Sequence, residues 1–146
     1  EFSSIEDCNI YYKQAIAALE VGNILGEEKY IYRHEDIQPY NFIYMAKDRI
    51  LKEDFYNTSI YILKKYDAKN SSELYKTLYI YLKNNHSMTK AADEMFIHRN
   101  TLRYRLEKIS DLIGINLDEN DNSFKLYYAY KLIGFYKKLM SAQRNI

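Results

Sequence analysis

The sequence predicts a mainly α-helical protein, a helical bundle with at most one minor strand near its N-terminus. Three observations carry this. Apolar residues recur at three- and four-residue spacing through most of the chain. One proline and four glycines in 146 residues are too few for the turns of an all-β or loop-rich fold. Only one short run, Lys29–Arg33, reads as a strand, and no segment is evident to pair with it.

The elements follow in order. Ile5, Cys8, Tyr12, Ala15, Ile16 and Leu19 set a first helix from Ile5 to about Ala18 or Val21, ended by Gly22 and Gly26. Asp36 caps a helix starting at Ile37, with Pro39 tolerated in the first turn and Phe42, Ile43, Met45 and Ala46 on the apolar side. A third helix runs from Lys52 or Asp54 to Tyr66, burying Phe55, Ile62 and Leu63, and residues 67–70 form a polar turn. Asn70 and Glu73 resemble a capping box opening a helix over 71–84, whose inner face is Leu74, Leu78, Tyr81 and Leu82. Thr89 caps a short helix over 90–95 that packs Ala91, Ala92 and Met95. A longer helix spans 99–113, and Gly114 stops it. After an acidic loop over 116–122, the last helix runs from Ser123 to about Met140. Its apolar arc of Phe124, Leu126, Tyr128, Leu132, Ile133, Phe135, Tyr136 and Leu139 buries more than one face. Part of that arc is a candidate dimer contact; an all-intrachain core explains it equally well.

Residues 87–109 carry the chemistry. A short helix with the Ala91-Ala92 pair, a tight turn and a second helix opening Arg99-Asn100-Thr101 is the pattern of a helix-turn-helix. The small residues let the two helices cross closely. On the second helix Leu102, Leu106, Ile109 and Ile113 share one stripe, while Asn100, Tyr104, Glu107 and Asp111 lie opposite. Arg103 flanks that outer face on one side; Thr101, Arg105 and Lys108 lie towards the other. Such helices read bases with their N-terminal residues, arginine on guanine and asparagine on adenine. Arg99, Asn100 and Arg103 suit that role, and Arg105 and Lys108 suit phosphates. Tyr104 is a further candidate, for a thymine methyl or a phosphate. Thr89 and Lys90 stand at an exposed helix start, a natural phosphate clamp. A basic outward face on an isolated helix is usually only a solvated surface; here three features coincide.

The run from Phe96 to Leu106, with its His-Arg-Asn-Thr-Leu-Arg-Tyr-Arg core, resembles the C-terminal helix-turn-helix of the PucR/CdaR family of bacterial transcription regulators. Leu78–Leu82 and Gly114–Asp118 fit the same pattern, so the resemblance covers about residues 72–136. The two helices are also similar to the DNA-binding end of the Fis-type fold. The resemblance implies sequence-specific binding to double-stranded DNA, with Arg99, Asn100, Thr101, Arg103 and Tyr104 facing the groove. It also implies a larger regulatory domain upstream that would bind any effector. On that basis residues 1–35 are expected to be the tail of such a domain, 36–70 connecting helices, and 71–146 the DNA-binding domain. One departure is Phe96, where many helix-turn-helices place glycine, so a left-handed turn residue is not expected there.

Composition bounds the rest. A mean hydropathy of -0.52 and no long apolar run exclude a transmembrane helix. The single cysteine, Cys8, allows no internal disulfide and fits a cytoplasmic setting. A net charge of +1 carries no argument for DNA, which rests on local charge placement. The 17 tyrosines suggest base stacking, but their helical spacing and the abundance of Lys, Ile and Asn fit packing residues from an AT-rich genome better. His34, His86 and His98 have no metal-ligand spacing, with one another or with Cys8, and His98 reads as a cap. The acidic run 118–122 lacks the glycine and distal glutamate of a calcium loop. No cofactor, metal or catalytic residue is expected. The expectation is a DNA-binding transcription regulator acting as a homodimer; the alternative is a helical protein-interaction module that does not bind DNA, and a third reading is an enzyme whose site lies partly elsewhere. Arg99, Arg103 and Arg105 favour the first, because an interaction helix would expose apolar anchors instead.

Overall fold

In the computed structural model the described residues are 4–26, 31–47, 49 and 57–144. Among them are seven helices and no strand: α1 (Ile5–Leu25), α2 (His34–Met45), α3 (Thr58–Asn70), α4 (Leu74–Lys83), α5 (Met88–Met95), α6 (Arg99–Ile113) and α7 (Asn120–Arg144). The expected strand does not form over Ile31–Arg33, which are irregular; Lys29 and Tyr30 lie outside the described residues. A lone strand would leave its N–H and C=O groups unpaired. None of the described helices is long and apolar enough to cross a membrane. The chain divides into two compact units, Glu1–Asp54 with Leu132–Ile146, and Phe55–Lys131.

In the first unit α1 runs past Val21 and Gly22 to Leu25, and Gly26, at φ 67°, ends it. Gly22 is a contact residue: a Cβ there would come within 2.2 Å of the Tyr32 ring. The face that α1 buries carries Ala18 and Val21. The positions with the helical period, Ile5, Cys8, Tyr12, Ala15, Ile16 and Leu19, are all exposed. α2 starts at His34, so Asp36 sits in its first turn beside Glu35 and is not the cap. Both acids there favour the positive end of the helix dipole. Pro39 is therefore in the helix interior, where it removes one backbone hydrogen bond. Ile37 and Ile43 are buried, whereas Phe42 and Met45 are largely exposed. From α7, Phe135 and Leu139 complete this core, with the Tyr40 and Phe135 rings 4.9 Å apart.

In the second unit α3 starts at Thr58, where the Asn57 side chain accepts the Ile60 N–H at 3.0 Å. Its buried residues are Ile60 and Leu63; Phe55 lies outside the described residues. The helix continues to Asn70, so the expected polar turn is its last turn, closed by Ser71 at φ 51°. The expected capping box does not form, because Asn70 donates back to the Tyr66 carbonyl. α4 is capped from the preceding helix instead. Asp67 accepts the backbone N–H groups of Leu74 and Tyr75, both at 2.8 Å, and the Ser72 hydroxyl. The expected inner face of α4 is buried as a set: Leu74, Leu78, Tyr81 and Leu82. Tyrosines fill the space towards α7, with Tyr130 centred 4.8 Å from Tyr75 and 5.5 Å from Tyr79. The Tyr130 hydroxyl donates to the Tyr75 carbonyl, and burial pushes its pKa far up. Packing thus accounts for these tyrosines. α7 opens at Asn120, earlier than expected, and buried Ser123 donates to the Leu117 carbonyl at 2.6 Å. Its wide apolar arc is used in part inside the chain, by Leu126 in this unit and by Phe135 and Leu139 in the other, while Phe124 and Tyr128 are exposed.

Candidate nucleic-acid interface

The candidate interface comprises α5 (Met88–Met95), the turn after it and α6 (Arg99–Ile113). α5 begins at Met88, two residues earlier than expected. Its cap is Ser87, whose hydroxyl accepts the Lys90 N–H, so Thr89 and Lys90 are inside the first turn with exposed side chains. Ala91 and Ala92 are buried with Leu102, Ile80 and Tyr81 in one cluster. This is the close crossing that only small side chains permit. A second link ties α5 to the end of α4. The Glu94 carboxylate accepts from Lys83 and from the Asn84 amide, both at 2.8 Å. These bonds hold the Glu94 carboxyl below its usual range and the Lys83 ammonium above its own.

The turn has a left-handed residue, contrary to the expectation for Phe96. It adopts φ 54° and ψ 40°, and Ile97 N–H reaches back to the Ala92 carbonyl at 3.1 Å. This is the glycine-type helix ending made with phenylalanine. The ring is 96% exposed, so no packing of its own compensates the backbone strain. The cost is tolerated because both flanking helices are anchored by the buried alanine–leucine contact.

His98 caps α6, its Nδ1 accepting the Asn100 N–H at 3.2 Å. Leu102 and Ile109 are fully buried, and Leu106 and Ile113 half-buried, as the stripe requires. Burying each of the first two contributes about 2 kcal/mol, which fixes the rotation of α6. Asn100, Thr101, Arg103 and Tyr104 consequently lie away from the buried stripe and are exposed, and Arg99 is exposed because it opens the helix. Glu107 and Asp111 are exposed further along, so the positive part of this face is its N-terminal half.

Arg105 and Lys108 differ from the rest. The Arg105 side chain is 24% exposed, its guanidinium donating to the Thr77 hydroxyl at 3.2 Å and lying 3.7 Å from the Glu73 carboxylate. Thr77 is fully buried and donates in turn to the Glu73 carbonyl. Lys108 is half-buried, with its ammonium 5.8 Å from the centre of the Tyr66 ring on α3. Both side chains turn inward from the outer face, to α4 and α3. Asp67, Thr77, Ser87 and Glu94 are supporting residues that sequence reasoning missed; only Ser87, directly before the alanine helix, had a legible signal as a cap.

Among the described residues no group of three or more His, Cys, Asp and Glu is placed to hold a metal ion.

Residues 74–132 match the PucR C-terminal helix-turn-helix domain. This segment is a PucR-type helix-turn-helix domain. Its similarity extends to regulators of known role. The proline-responsive transcriptional activator PutR of Bacillus subtilis strain 168 is 32% identical over 117 residues, 80% of this chain and 28% of PutR. The DNA-binding transcriptional activator AdeR of the same organism is 26% identical over 132 residues, 90% of this chain and 31% of AdeR. The carbohydrate diacid regulator of Escherichia coli K12 is 40% identical over 63 residues, 43% of this chain and 16% of that protein. The chain thus spans less than a third of the length of these relatives. No solved structure matches it.

Proposed function

We propose that this chain is the DNA-binding part of a transcription regulator, with α6 seated in the major groove of double-stranded DNA. The observation that carries the reading is the single exposed face of α6. Arg99, Asn100, Thr101, Arg103 and Tyr104 crowd its first two turns, and the opposite stripe is buried. In this reading Arg103 and Asn100 read base edges and Arg99 and Thr101 support them. Tyr104 contacts a thymine methyl or a phosphate, and Thr89 and Lys90 hold a phosphate at the start of α5. Arg105 and Lys108 position the helix from within. The DNA-binding unit includes α3, because α3 packs on α4 and α6. The segment before it is the end of an upstream regulatory domain that would take any effector. The protein works in the cytoplasm, as a homodimer on paired half-sites about one helical turn apart.

The test is a titration of Arg103→Ala against specific and random duplexes over a range of salt. The expected loss is about 1–3 kcal/mol on the specific duplex, with relaxed preference at one base pair. An equal loss on both duplexes would show that Arg103 does not read a base.

A further inference from the structure

α1 has two apolar faces. Ala18 and Val21, buried at 2% and 0% exposure, lie on one. At 100° per residue, Ile5, Cys8, Tyr12, Ala15, Ile16 and Leu19 fall within one arc on the other side, and every one of them is exposed. The stripe from Ile5 to Leu19 runs over about four turns. Positions 5, 8, 12, 15 and 19 alternate by three and four residues, which is the a/d seam along which a second straight helix can pack. No charged residue lies within the arc.

We propose that this stripe of α1 is a dimer seam whose partner is the same stripe on a second copy of the chain. It specifies the surface behind the homodimer of the proposed function and rests on that part of the reading alone. An apolar stripe without charges is self-complementary about a two-fold axis, because nothing in it repels its own copy. The area is sufficient. Ile5, Tyr12, Ile16 and Leu19 are 87%, 67%, 40% and 51% exposed. With side chains of this size, they and the two smaller residues offer roughly 500 Å² per copy, or roughly 1,000 Å² in a pair, the lower bound of a specific interface. The seam therefore forms a weak dimer, one that DNA with two half-sites would reinforce. The arc of α7 expected for this purpose is spent on intrachain packing, with Phe124 and Tyr128 left as a small exposed pair, ring centres 5.9 Å apart.

The experiment is sedimentation equilibrium of the chain without DNA, from low micromolar to several hundred micromolar. Its outcome is independent of whether α6 binds DNA. The mass is expected to rise with concentration from 17.5 kDa towards twice that value. Leu19→Glu and Tyr12→Glu should each weaken the dimer by about tenfold or more, since each buries a charge in the seam. Both residues are exposed in the monomer, so an unchanged helical circular dichroism spectrum verifies that the variants fold. Cys8 is a built-in reporter: its alkylation should slow as the wild-type concentration rises, and not in Leu19→Glu. A mass that stays monomeric throughout overturns the proposal and leaves the stripe to another segment or protein. A dimer broken by Phe124→Glu but not by either α1 variant also overturns it, and moves the seam to α7.

Discussion

Replacing Arg105 with alanine separates the proposed reading face of α6 from the contacts that aim it. Arg105 lies only two positions from Arg103 and carries the same charge, so a charge-based reading makes their loss equivalent. The structure makes them opposites. The Arg105 guanidinium bonds the Thr77 hydroxyl and stands 3.7 Å from Glu73. A hydrogen bond from a charged donor contributes about 1.5–3 kcal/mol. The ion pair adds little, because Glu73 is about half exposed and the distance is long. Thr77 keeps its bond to the Glu73 carbonyl, so no buried hydroxyl is stranded. Arg105→Ala should therefore cost about 2 kcal/mol of folding stability. With an m-value near 2 kcal/mol/M, the urea midpoint falls by about 1 M. Arg105→Lys should recover only part of that, since an ammonium has no planar fork to match the two acceptors. The assay pairs urea unfolding with DNA titration, run beside Arg103→Ala. DNA affinity of the folded Arg105 variant should fall without loss of salt slope, because no phosphate contact is removed. An Arg105→Ala variant with an unchanged midpoint and a salt slope lowered by about one unit would refute the assignment and return Arg105 to the phosphates.

Three further outcomes follow from the same geometry. Phe96→Gly should stabilise the fold by about 1 kcal/mol, because it relieves a left-handed residue whose ring is exposed; a lower melting temperature would show that the ring packs in solution. Asp67→Ala should cost about 1–2 kcal/mol by stranding the first N–H groups of α4, read as a lower urea midpoint; an unchanged midpoint would mean water replaces the carboxylate. The clamp of Lys83 and Asn84 on Glu94 is pH-dependent. The Glu94 carboxyl is lowered from its ordinary 4.5, so its contribution is complete above that value and is lost as pH falls through the depressed folded value. The Lys83 ammonium is raised from 10.5, so its contribution is complete below that value and is lost as pH rises through the elevated folded value. Glu94→Gln should flatten the acid limb of a stability–pH curve; an unaltered limb would show the clamp to be open in solution.

The sequence by itself determined the helical class and the rotation of α6. Both rest on local periodicity: Leu102 and Ile109 must go inside, and a rigid helix then turns Asn100, Arg103 and Tyr104 outward. The alanine pair and the stop at Gly114 were legible for the same reason, since each depends on residues a few positions away. Tertiary structure decided what depends on remote partners. Asp67 caps a helix seven residues on, while Arg105 turns from a candidate phosphate ligand to Thr77, 28 residues away. Phe96 takes a glycine's conformation because the packing of α5 on α6 outweighs about 1 kcal/mol of local strain. α1 shows the limit most plainly. Its periodic stripe was visible, but periodicity says only that a face is apolar, and the chain's own contacts chose the smaller face with Ala18 and Val21 to bury.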